Sequence, residues 1–394
     1  MSISERIRAR MAEGSWIRRM FEEGMALKKR YGEANVFDLS LGNPVLEPPP
    51  EFYRELRRLV EKPPVGMHRY MANAGYPETR AAVASQLERE TGVGLGGGDV
   101  IMTCGAAGAL NVVLRALLDP GDEVIVLAPY FPEFLNYIEN QGGVAKVLPT
   151  DEGFKPRLDV LEAGIGPKTK AVIINSPNNP TGVVYGEGLV HELGGLLEKK
   201  SAKHGRDIYL ISDEAYRRLI YDGLTHVSPL KHYEQSIIVA SHSKDLGLAG
   251  ERIGYVALHP EARAHDELVD AVVYCNRTLG FVNAPALMQR LVGHLQGVTV
   301  SVAEYQRKRD FLYSRLIEMG YQAVKPQGAF YLFPRSPLED DIAFVRELLQ
   351  YQVLTSPGTG FGAPGYFRIA YSVDDRTLEG ALNGFRKAAA KYRR

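Results

Sequence analysis

Seven short β-rich apolar runs, separated by helical stretches, fill the chain from about residue 99 onward: Val100 to Thr103, Glu123 to Leu127, Val144 to Leu148, Ala171 to Asn175, Ile208 to Ile211, Ile237 to Ala240 and Ile253 to Leu258. A strand with one face in water alternates apolar and polar residues, whereas these runs are continuous. Continuity means that both faces of the sheet are covered. The pattern predicts an α/β fold, a mostly parallel sheet sandwiched by helices. Ligands of such sheets bind outside the carboxyl ends of the strands.

The flanking segments read differently. Residues 1 to 30 carry Ile7, Met11, Ile17, Met20, Phe21 and Met25 at helical spacing among charges, an amphipathic arm. Val36 to Leu41 is a short strand ending at Gly42-Asn43-Pro44, and Pro48, Pro49 and Pro50 stop regular structure before a helix over 51 to 61. After about residue 286 the spacing is helical over Leu287 to Leu295 and Val302 to Met319. Short strands follow near Tyr321 to Val324, Ala329 to Phe333 and Phe367 to Tyr371, then a last helix. The expected organisation is an arm and part of a small domain over 1–45, a large domain over 46–285 and a smaller α+β domain over 286–394.

The 47 basic and 47 acidic residues cancel, so no global charge draws the chain to nucleic acid or to an anionic membrane. Small molecules are the expected partners. Cys104 and Cys275 lack paired spacing, which argues against a disulfide framework or a cysteine-rich zinc site and fits a reducing compartment. Both are expected to be small buried apolar residues. With no apolar leader at the N-terminus and no run long enough to span a bilayer, a cytoplasmic protein is expected.

Several strand ends carry chemistry. Ser241-His-Ser-Lys-Asp-Leu-Gly-Leu-Ala-Gly-Glu-Arg-Ile-Gly-Tyr255 sets Lys244 and Arg252 in one loop, an amine nucleophile beside a permanent forked cation. That equipment suits an aldehyde that also bears a phosphate. Thr103-Cys-Gly-Ala-Ala-Gly-Ala-Leu110 joins a strand to a helix through small residues, so backbone N–H groups can face an anion; tight helix packing would account for it equally. Tyr130, in Ala128-Pro-Tyr-Phe-Pro132, could stack on a planar ring or simply join the core. Asn175-Ser-Pro-Asn-Asn-Pro-Thr-Gly182 is a proline-stiffened polar loop that no generic turn requires. Asp213, in Ile211-Ser-Asp-Glu-Ala-Tyr216, needs a cationic or hydrogen-bonded partner, and a protonated pyridine nitrogen would be one. Tyr216 follows one helical turn later.

In this order, Asn-Asn-Pro-Thr-Gly, Asp-Glu-Ala-Tyr, and Ser-x-Ser-Lys followed by Gly-Glu-Arg-Ile-Gly-Tyr resemble the fold-type I pyridoxal-phosphate enzymes, specifically class I/II aminotransferases related to aspartate aminotransferase. The resemblance spans nearly the whole chain. It implies pyridoxal 5'-phosphate as cofactor, with Lys244 as the Schiff-base lysine and later the general base. It implies Arg252, Ser241, Ser243 and the N–H groups of Gly105, Ala106 and Ala107 around the phosphate. Asp213 matches the partner of the pyridinium nitrogen, Asn179 and Tyr216 the donors to the phenolic oxygen, and Tyr130 the stacking aromatic. Tyr70 matches a tyrosine that reaches the phosphate of a neighbouring subunit, implying a homodimer with shared sites. Arg368 matches the clamp on the substrate α-carboxylate, and Gly42 a backbone contact beside it.

Two departures stand out. Ala106 and Ala107 occupy positions where relatives often supply a hydroxyl, and no arginine falls cleanly on the position that reads a distal carboxylate. Arg277 lies within a residue of it, and Arg69 is another candidate. The implied activity is exchange of an amino group between an L-amino acid, with aspartate, glutamate or alanine as donor, and a 2-oxo acid by a ping-pong mechanism. The same cofactor also serves β-lyases and decarboxylases, and a non-catalytic sensor is a further alternative.

Overall fold

A computed structural model describes residues 16–392, together with residues 3–5, 7, 8 and 11; the side chains of residues 16–19 and 21 lie outside the described set. The expected arm is a helix over Trp16–Tyr31. Met20 is buried in it, while Met25 faces solvent. Of the other expected arm residues, Ile7 and Met11 are exposed, and the side chains of Ile17 and Phe21 are outside the described set.

Twelve strands follow among the described residues. β1 (Phe37–Asp38) pairs in parallel with β10 (Val353–Leu354), joining the N-terminal segment to the C-terminal part of the chain. The runs read from the sequence become β2 (Val100–Thr103), β3 (Glu123–Ala128), β4 (Val144–Pro149), β5 (Thr169–Asn175), β6 (Tyr209–Asp213), β7 (Ser236–Ser241) and β8 (Gly254–Leu258). They form one sheet in the order β2-β8-β7-β6-β5-β3-β4, in which only β8 runs antiparallel to its neighbours. β2, β6, β7 and β8 are buried at every position, as continuous apolar runs require. At the edge, β4 exposes Val144 and Val147.

Helices cover both faces. On one, Gly105–Leu117 and His265–Thr278 pack with Val113, Leu114 and Val272 buried against Ile211 and Val256. On the other, Pro77–Thr91 and Ala286–Gly293 bury Val83, Leu87 and Leu291 against Ile238 and Ala257.

The smaller α+β domain has a three-stranded antiparallel sheet of β11 (Ser356–Pro357), β12 (Phe367–Ala370) and β9 (Tyr331–Leu332). Its core gathers Tyr305, Leu312, Phe330, Phe344, Phe367 and Phe385. The expected strand at Tyr321 to Val324 does not form. Tyr321 is buried by edge-on contacts with Phe344, Phe367 and Phe385 and donates its hydroxyl to Phe385 O, so side-chain packing anchors the segment in place of a ladder. Among the described residues no helix is long and apolar enough to cross a membrane.

Candidate active site

Strand register brings the chemistry into a row. Asn175 pairs with Asp213 at the ends of β5 and β6, while Ser241 of β7 and Thr103 of β2 both face Gly254 of β8. Beyond these ends opens a cavity of about 290 Å³, lined among others by Ala106, Ala107, Asp213, Ser241, Ser243, Lys244, Arg252 and Arg368. Gly42, Asn179 and Tyr216 also reach it.

One corner is an anion site. The helix Gly105–Leu117 begins there, so its first N–H groups have no partner within the helix and point outward. Arg252 holds a left-handed conformation, with φ 54° and ψ 50°, uncommon for a residue with a side chain. Its guanidinium donates to Ala249 O at 2.9 Å and lies 3.5 Å from Cys104 O, standing open beside the helix N-terminus. A Cβ on Gly105 would come within 2.7 Å of Arg252 Nη2, and one on Gly254 would strike Ala240 O and the Gly105 backbone. Glycine is what allows these segments to close around an anion. Cys104 is half-buried here, its thiol pushed up by burial; Cys275 is buried.

Lys244 and Asp213 occupy the middle. Lys244 Nζ donates to Gly42 O at 2.9 Å and sits 5.3 Å from the Phe330 ring centroid. Removal from water, then the nearby charges of Arg252 and Arg368, lower its pKa to about 8. Asp213 is buried, and its Oδ1 accepts from Ala215 N–H at 3.2 Å. Burial pushes its carboxyl up to about 7, with the Glu214 charge adding to the rise. The proline-stiffened loop is tied to it: Asn175 donates to Asp213 O at 2.9 Å and accepts from Asn179 N–H at 2.7 Å.

At the far corner Arg368 is 2 % exposed, and among the described residues no carboxylate pairs with it. It donates to Asn179 Oδ1 at 3.1 Å and Ser40 O at 2.6 Å, while its Nε has no acceptor. A buried guanidinium left unpaired is costly unless an anion arrives. Its Cζ lies over the rings of Tyr331 and Phe361, 4.6 and 4.7 Å from their centroids. Tyr331 was not anticipated as a site residue. Its hydroxyl is 2.9 Å from that of Tyr216, and it fills the space where a Cβ on Gly42 would lie. No sequence signal marked it, because Phe330-Tyr331-Leu332 reads only as part of a buried strand.

Tyr130 takes a different place from the one expected. Its N–H donates to Phe361 O, its ring edge packs against Gly362, and the neighbouring Phe131 lines the cavity instead, with Tyr137. The turn over Pro129 presents the second aromatic of the pair. Tyr70 is 90 % exposed, Arg69 is exposed, and Arg277 lies over the ring of its own Tyr274. Within one chain none of these three lines the cavity.

The chemistry of the donor set fits pyridoxal phosphate: an anion cradle, an amine of lowered pKa, a buried carboxylate lacking a cation, and aromatic and apolar walls at Phe131 and Ala215. Comparisons with known proteins agree. The profile of the family "Aminotransferase class I and II" matches residues 34–385. The probable aspartate/prephenate aminotransferase of Thermus aquaticus is 36% identical over 371 residues, covering 92% of this chain and 94% of that protein. Among solved structures, an amino transferase from Eubacterium rectale superposes with a TM-score of 0.96 at 39% identity over 100% of both chains. Aspartate aminotransferase from Thermus thermophilus, solved with maleate, superposes with a TM-score of 0.86 at 30% identity, covering 98% of this chain and 100% of that one.

Proposed function

The chain belongs to the class I and II aminotransferases, pyridoxal-phosphate-dependent enzymes, and from that premise we propose how its residues divide the work. When bound, pyridoxal phosphate supplies an electron-poor ring that takes up the electron pair left at Cα as its proton departs. Arg252, Ser241, Ser243 and the N–H groups of Gly105, Ala106 and Ala107 hold the phosphate. Phe131 covers a ring face. Asp213 would accept from the ring nitrogen, a cationic partner that its buried carboxyl otherwise lacks. Asn179 and Tyr216 hold the phenolic oxygen.

Lys244 would be the amine that holds the cofactor's aldehyde and, when freed by a substrate, the base that would move the proton from Cα. An amine with a pKa of about 8 gives and takes a proton readily near neutral pH. Arg368 clamps the α-carboxylate, held by Asn179 and Ser40 and set against the rings of Tyr331 and Phe361. The observation that carries this reading is the meeting of an unpaired buried guanidinium, an unpaired buried carboxylate and a softened amine in one cavity.

The reaction is a ping-pong exchange in which an L-amino acid gives up its amino group and a 2-oxo acid receives it. Aspartate or glutamate is the proposed donor, supported by the names of the Thermus relatives, with alanine next. The enzyme works as a cytoplasmic homodimer in which Tyr70 reaches the partner's phosphate and Arg277 the distal carboxylate; the exposure of both in one chain is what such a role needs. Residues 46–285 form the cofactor-holding domain, with 1–45 and 286–394 forming the arm and small domain that bring Gly42 and Arg368. The test is to add single L-amino acids to cofactor-loaded protein and follow its visible absorbance. Aspartate or glutamate should discharge the band and a 2-oxo acid restore it. Release of ammonia or carbon dioxide without restoration would contradict the reading.

A further inference from the structure

Asp213 and Lys244 are each followed by an acid that turns away from the cavity. Glu214, fully buried, has Oε2 3.6 Å from Arg217 Nη1 and Oε1 3.0 Å from His226 Nε2, and Oε1 also accepts from Ser212 Oγ at 3.1 Å. Asp245 Oδ2 lies 3.1 Å from His242 Nδ1 and 3.8 Å from Arg218 Nε. The two arginines, adjacent in sequence, meet at Glu90: Arg218 Nη2 is 2.9 Å from its Oε1, and Arg217 pairs with its Oε2. Arg217 also donates to Tyr255 OH at 3.0 Å, and Gln86 donates to Glu90 at 2.6 Å. A row of charged groups thus runs behind the cavity, from the residue after Asp213 to the residue after Lys244, closest at Glu90 and looser at its two ends, where the contacts are 3.6 and 3.8 Å.

Local preference did not put an acid at position 90. It sits in the last turn of the helix Pro77–Thr91, where the carbonyl end disfavours negative charge. What it meets there is two guanidiniums, 7 % and 14 % exposed, whose other carboxylates, Glu214 and Asp245, stand farther off at 3.6 and 3.8 Å. At the other end, Asp245 O accepts from Val300 N–H at 2.7 Å and Thr299 Oγ1 at 3.1 Å, in the segment that leads into the small-domain helix Val302–Glu318. The network therefore ties the lysine loop to both the back of β6 and the approach to the small domain.

We propose that Glu90 is the keystone of a positioning network, Glu214–Arg217–Glu90–Arg218–Asp245–His242, that fixes the separation of Asp213 and Lys244. The proposal rests on the roles assigned above to those two residues. Asp213 anchors the ring end and Lys244 must meet Cα, so a loss of register costs rate more than binding.

Glu90→Gln keeps the shape and removes the charge. In the holoenzyme kcat should fall about tenfold or more while KM changes little. The pH midpoint of the bound cofactor's visible absorbance should move down, because the network loses a negative charge and its gain in net positive charge, added to that of Arg252 and Arg368, disfavours a proton on Lys244. A lowered melting temperature with kcat and the absorbance midpoint unchanged would mark Glu90 as merely structural and overturn the proposal. Should Glu90→Gln not fold, His242→Ala and His242→Asn decide. The asparagine amide can donate to Asp245 where Nδ1 does, so it should restore the rate that alanine loses; equal rates would overturn the network. Lys244→Ala separates the two levels. If that variant keeps the pH-sensitive band, the assignment of the site itself fails, whereas a silent Lys244→Ala beside an unaffected Glu90→Gln defeats the network alone.

Discussion

Asp213, Ser241 and the glycine cradle at Gly105 reach the cavity from strand ends and a helix start fixed by the seven-stranded sheet, whereas Arg277 and Arg69, the residues expected at the far end of the substrate, stand on the surface of the single chain. A cofactor presents the same phosphate, nitrogen and aldehyde in every turnover, so each can be met by one rigidly placed group. A substrate side chain differs between enzymes of similar fold, and the groups that meet it are free to come from elsewhere, including a second copy of the chain. Apart from Tyr70, expected from the partner at the phosphate, the first corner is therefore assembled within one chain, and the second is open.

The largest effect should come from the cofactor corner. Lys244→Ala should abolish turnover while the cofactor still binds weakly through Asp213 and the phosphate contacts, as equilibrium dialysis would show; near-normal activity would break the comparison at its strongest point. Asp213→Asn comes next and should cut kcat by several powers of ten, since an amide cannot stabilise a pyridinium. The same variant carries a second signature in the cofactor-free protein. The Asp213 carboxyl is raised from 3.8 to about 7, so its contribution to stability is present below 3.8 and is lost as pH rises through about 7. The cofactor-free Asp213→Asn protein should thus be more stable than its parent above pH 7, by on the order of a few kcal/mol in denaturant titrations. A stabilised but inactive variant is what a site strained for function predicts.

At the substrate end the effects shrink and become selective. Arg368→Lys should raise KM for all amino acids alike, by about 1.5 to 3 kcal/mol of lost charged hydrogen bonding, because lysine cannot reproduce the fork that Asn179 and Ser40 hold in place. Arg277→Ala should lower kcat/KM for aspartate or glutamate by about tenfold or more and leave alanine nearly untouched. Equal losses for both substrate classes would make Arg277 a surface residue and leave the open corner to Arg69 or another group.

The fold was legible because both-face burial writes itself into continuous apolar runs, and β2 through β8 appear within two residues of where those runs predict them. The cofactor corner was legible because Lys244, Asp213 and Asn179 belong to loops whose composition no turn demands. Tyr331 was hidden, since an aromatic in a strand says nothing of what its hydroxyl touches; only the fold sets it against Tyr216 and Gly42. Phe131 was hidden behind its neighbour, because which of two adjacent aromatics faces a cavity depends on the backbone path over Pro129. The Tyr321 segment misled for a related reason. Its apolar content is used by aromatic packing, which sequence periodicity does not distinguish from pairing.

The central claim is that one amine, on Lys244, carries both the attachment and the proton. Treating the cofactor-loaded protein with borohydride and mapping the digested peptides by mass tests it directly. The account predicts that the reduced cofactor is found on Lys244 alone and that adding the amino-acid substrate before the reductant releases Lys244 unmodified. Label on another lysine, or on Lys244 undiminished by substrate, would contradict it.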